Sequence, residues 1–77
     1  MQEIDLVTVE FDELTADQVD AINEHPLATG STQPVAGLPL WRCGFRVDPP
    51  LSSGDVASDV HLWAAHRGIP FRQVVGG

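Results

Sequence analysis

All fixed positive charge in this chain sits on four arginines, Arg42, Arg46, Arg67 and Arg72, and there is no lysine. A guanidinium is a planar fork that grips carboxylate or phosphate at two points, so arginines gathered on one surface are the first feature here that could do chemistry. Arg42 and Arg46 fall in Leu40 to Val47, where residues alternate with period two as in a half-buried strand. Trp41, Cys43, Phe45 and Val47 take one face, and Leu40, Arg42, Gly44 and Arg46 the other. The last apolar run, Ile69 to Val75, is expected to turn Ile69, Phe71 and Val75 inward and Arg72 and Val74 outward, with Gln73 on the apolar side. Arg42, Arg46 and Arg72 would then share an uncovered sheet face with Leu6, Leu40 and Val74. Such a face suits an anionic ligand or a second copy of the chain, unless Glu10 and other carboxylates pair with the arginines.

A second charged constellation is Asp17, Asp20 and Glu24, spaced three and four apart so that a helix sets them in one exposed ridge. A solvated helix face looks like this, and so does a docking surface for a basic partner.

The other reactive residues do not converge. His61 and His66 are five apart, about 140° around a helix, and His25 is remote, so no metal site is expected. Cys43 alternates with Trp41 and Phe45, which makes it a buried apolar thiol rather than half of a Cys–His nucleophilic pair. The sequence contains no Gly-rich phosphate loop, nucleophile elbow or paired-carboxylate site. The expectation is a non-enzymatic protein with no cofactor.

Val74-Val75-Gly76-Gly77 resembles the tail of the ubiquitin-like sulfur carriers of thiamine and molybdopterin synthesis. That resemblance covers four residues. It implies, as the alternative function, a sulfur or acyl carrier whose terminal Gly77 carboxylate is adenylated and converted to a thiocarboxylate, with Gly76 and Gly77 threading a narrow partner site.

The elements that would position these residues follow from pattern and punctuation. Ile4 to Phe11 alternates and is β-branched, so it reads as a strand with Val7, Val9 and Phe11 inward. Thr15 and Gln18 make a capping box, and Leu14 with Val19 a hydrophobic staple, opening a helix that runs to about Glu24 before Pro26. Residues 27–39 hold Gly30, Pro34, Gly37 and Pro39; an irregular edge strand near residues 31–36 and a turn at Gly37-Leu38-Pro39 are expected, the alternative being a binding loop. Asp48-Pro49-Pro50 ends the organising strand, and Ser52 or Ser53 starts a second helix with Val56, Val60, Trp63 and Ala64 buried. Gly68 stops it.

Strand, helix, weak strand, strong strand, helix, strand is the order of an α+β two-layer sandwich, ferredoxin-like βαββαβ, in one domain spanning residues 1–77. With 11 acidic and 4 basic residues, net charge −7, the surface repels phosphate backbones, so nucleic acid is not an expected partner. An acidic N-terminus, one cysteine and no long apolar run lead to a cytoplasmic protein that does not engage membranes. The functional expectation is a small acidic binding or regulatory module. Its partner is a protein, favoured if basic, or a second copy through the open sheet face.

Overall fold

The computed structural model describes residues 6–30 and 32–75. It is an α+β fold in which two helices pack on a four-stranded antiparallel sheet of order β2-β3-β1-β4. The elements are β1 (Leu6–Asp12), α1 (Ala16–Asn23), β2 (Gln33–Pro34), β3 (Leu40–Arg46), α2 (Ser53–Arg67) and β4 (Phe71–Val74).

β1 and β3 form the centre, pairing Val7 with Phe45, Val9 with Cys43 and Phe11 with Trp41. Residues directly opposite in an antiparallel pair share a face. That face meets Ile22 of α1 and Val56, Val60 and Ala64 of α2 in one core. Phe11 and Phe45 are its largest fully buried side chains. The alternating residues of β1 and the four-residue spacing on α2 thus meet as the sequence leads one to expect.

Local chemistry fixes both helix starts. The Thr15 hydroxyl accepts from the Gln18 N–H at 3.2 Å, while the Gln18 side chain accepts from the Thr15 N–H at 2.9 Å. Ser52 and Asp55 repeat this reciprocal cap on α2, where Asp55 lies in the first turn beside the positive end of the helix dipole. α2 ends at Gly68, with φ of 69° in the left-handed region. The Ile69 and Gly68 N–H groups return to the carbonyls of Ala64 and Ala65, a Schellman ending that seats Ile69 in the core.

Two expectations need correction. The edge strand is shorter than residues 31–36: it is β2, two residues long, and is followed by a turn in which the Leu38 N–H donates to Val35 and Gly37 has φ of 79°. A separate bridge, Ala28 to Phe45, continues the edge on the other side of Gly30. Ala28 with Phe45 and Gln33 with Arg42 differ in register by two residues, so the two pairings on β3 do not form one continuous ladder.

The second correction concerns β4, where Phe71 lies opposite Phe11 but Gln73 lies opposite Glu10, leaving Arg72 as an extra residue in a bulge. Alternation is therefore inverted beyond it. Gln73 stands on the open face, and Val74, expected outward, is opposite Val9 on the helix-bearing side while staying exposed on the edge strand. A one-residue slip reverses every later side chain, and no local pattern announces it.

Candidate functional site

The open sheet face is organised around Glu10, which is only 3% exposed although no helix covers it. Arg42, directly across from it on β3, donates from Nε to Glu10 Oε2 at 3.0 Å, and its Nη2 is also 3.0 Å from Oε2. From β4, Gln73 Nε2 donates to Glu10 Oε1 at 3.0 Å. Arg72 stands 3.7 Å from Oε1 and donates to Asp12 Oδ1 at 3.0 Å. The bulge makes this arrangement, because it brings Arg72 and Gln73 to the same side of β4.

The electrostatics are nearly closed. Gln73's hydrogen bond is the foremost influence holding the Glu10 carboxyl below the usual carboxylate range, burial opposes it, and Arg42 and Arg72 reinforce the lowering. Two guanidinia face two carboxylates, so no net charge is left over for an external anion. Their aliphatic stems and the Gln73 amide lie where a second layer would otherwise be required.

Arg46 does not join this cluster. It lies opposite Leu6 at the far end of β1 and donates to the Pro26 carbonyl at 3.0 Å. Between Arg42 and Arg46, a shallow groove of about 430 Å³ is bordered by Leu6, Thr8, Thr29, Gln33 and Arg42, with Gly44 as its bare floor. A Cβ on Gly44 would lie 3.4 Å from the Thr29 hydroxyl, so Thr29 forms a close wall.

The acidic ridge is separate. Asp17 and Asp20 on α1 and Glu24 at its C-cap are exposed, and among the described residues none of the three carboxylates has an ion pair. The two expected surfaces thus differ in kind: the arginine face is internally compensated, and the α1 ridge is open.

Cys43 is buried in the core, its Sγ 3.5 Å from the Gly44 carbonyl oxygen. His61 stacks on Phe71 with ring centroids 4.4 Å apart. Among the described residues, no group of three or more His, Cys, Asp or Glu side chains is placed to hold a metal, and no helix is long and apolar enough to cross a membrane. Gly76 and Gly77 lie outside the described residues; ahead of them, the Val75 N–H donates to the Thr8 carbonyl at 2.8 Å.

One residue named in the sequence and one left aside there take roles that only the structure shows. Glu10 reads as a surface acid, yet its position across from Arg42 in the β1–β3 register is what buries it. His25 reads as remote from everything, yet it is buried edge-on against Phe45 and Trp63, with centroids 5.3 and 4.8 Å away. For Glu10 the signal is its place on the outward face of the first strand, which makes it a candidate partner of the arginines; nothing local marks His25. Comparison with family models, characterised proteins and solved structures returns no match to this chain.

Proposed function

We propose that this chain is a small, non-catalytic cytoplasmic module that binds a basic protein partner through the α1 ridge of Asp17, Asp20 and Glu24. The supporting observation is the contrast in compensation: Glu10 and Asp12 engage Arg42 and Arg72, whereas the ridge carboxylates have no ion pair among the described residues. With net charge −7, the long-range field also favours encounter with a basic surface. Neutralised arginines make the open face a poorer docking site for an anion. We assign the architecture to the ferredoxin-like class, a reading supported by the two βαβ crossovers and by helices that share one core with the β1–β3 pair. Fold alone carries no activity.

Capture from the protein's own cells, followed by cross-linking and mass spectrometry, tests the reading. A stoichiometric basic protein cross-linked to α1 is expected, released by raised salt and lost when Asp17→Lys, Asp20→Lys and Glu24→Lys are combined. A partner retained unchanged by that triple reversal overturns it. The carrier alternative, centred on Gly76 and Gly77, draws no support from Val74 and Val75, which are engaged with β1. Deleting Gly77 should leave partner capture intact.

A further inference from the structure

His25 occupies a joint between α1 and the sheet edge. Its N–H donates to Ile22 and its carbonyl accepts from Ala28, both at 3.0 Å. The imidazole Nδ1 accepts from the Leu27 N–H at 3.1 Å, which places the proton of the neutral ring on Nε2. Nε2 faces Asp59 Oδ2 at 4.0 Å. The segment that follows is fastened to β3 by three contacts: Arg46 N–H to Leu27 carbonyl at 2.7 Å, Thr29 N–H to Gly44 carbonyl at 3.0 Å, and the Arg46 guanidinium to Pro26 carbonyl. The same segment carries Thr29, the wall of the open-face groove.

Only a neutral imidazole can make this joint. A proton on Nδ1 would confront the Leu27 N–H with a second donor, and the charge would be confined between the rings of Phe45 and Trp63. We propose that His25 is a proton-operated latch, whose protonation releases residues 26–29 from the edge of β3 and opens the groove beside Gly44. The reading is independent of the partner assigned to α1.

The charged groups around the ring pull in opposite directions. From α2, Asp59 favours the imidazolium and Arg67, stacked over Trp63 at 5.3 Å, opposes it. Glu24, in the C-terminal turn of α1, lines the same cavity as His25 and Arg67, and on the β3 side Arg46 is held by the Pro26 carbonyl. Burial, with Arg67 adding to it, outweighs Asp59 and holds the His25 pKa below its ordinary 6.5. The docked segment is therefore favoured above pH 6.5 and weakened as pH falls below it.

Residue-resolved NMR of the intact chain from pH 7.5 to 4.5 tests the latch. Amide protection at Leu27, Ala28 and Thr29, corrected for intrinsic exchange, is expected to fall by up to about tenfold per pH unit below 6.5. At every pH it should lie well below the protection at Val9 and Cys43, in the centre of the sheet, because the segment opens without unfolding the sheet. Asp59→Asn should move the midpoint to lower pH and Arg67→Gln to higher pH. Both side chains are exposed, so neither change threatens folding. Protection at Leu27, Ala28 and Thr29 equal to that at Val9 and Cys43, which would mean that the segment opens only with global unfolding, or a midpoint indifferent to both substitutions, overturns the proposal.

Discussion

A carboxylate such as Glu10 can be nearly inaccessible on a face that no helix covers because its neighbours build the cover. Arg42, Arg72 and Gln73 reach it from two different strands and supply the donors that water would otherwise give. With its folded pKa below the unfolded value, Glu10 contributes stability that is present above the usual carboxylate range and lost as pH falls through the folded pKa. Asp55, held low by its hydrogen bonds to Ser52, acts in the same direction. Urea unfolding across pH 6 to 2.5 should show this loss, and Glu10→Gln should lower the midpoint at pH 6 while flattening the acid limb. An acid limb unchanged in Glu10→Gln would mean that Asp55 or other carboxylates carry it.

The elements are held at their ends by a few residues whose contributions are separable. Gly68 is in left-handed geometry with no atom within 4 Å of an added Cβ, so Gly68→Ala meets backbone strain and no clash. The substitution should cost roughly 1–2 kcal/mol, read as a reduced urea midpoint with an unchanged slope. Thr15→Ala breaks the cap of α1, whose apolar face is narrow, and should cost about 1 kcal/mol. These helix ends were legible in the sequence because a capping box and a terminal glycine act within a few residues. β2 was legible only as a weak edge: Pro34 and Gly37 mark where pairing ends and turning begins, but the gap between Ala28 and Gln33 depends on how β3 accepts both halves.

At the scale of the molecule, the chain carries eleven acidic residues against four arginines, two of which are engaged around Glu10. Self-repulsion among the rest opposes the compact state and is screened within about 10 Å at 0.1 M salt. Thermal unfolding should therefore shift to higher temperature as sodium chloride rises from 10 to 150 mM, the usual sense for like-charge repulsion and the reverse of that for a fold relying on exposed ion pairs. A melting temperature that falls over this range would show that the Arg72–Asp12 and Arg42–Glu10 pairs outweigh the repulsion.

The sequence by itself determined the two helices and the central strands β1 and β3, the faces those elements bury, and that Arg42 and Asp17, Asp20 and Glu24 belong to different surfaces; it did not determine the extent of β2 or the faces of β4. Those properties follow from periodicity, caps and breakers, whose physics is complete within about a dozen residues. Tertiary structure alone decided that the arginine face is neutralised from within and that His25 is buried. Both depend on contacts between elements far apart in the chain: the bulge at Arg72 turns Gln73 toward Glu10, and the packing of α2 against the sheet brings Trp63 to the imidazole opposite Phe45. A one-residue slip leaves every local pattern unchanged while reversing which side chains meet, so the compensation at Glu10 exists only in the assembled sheet.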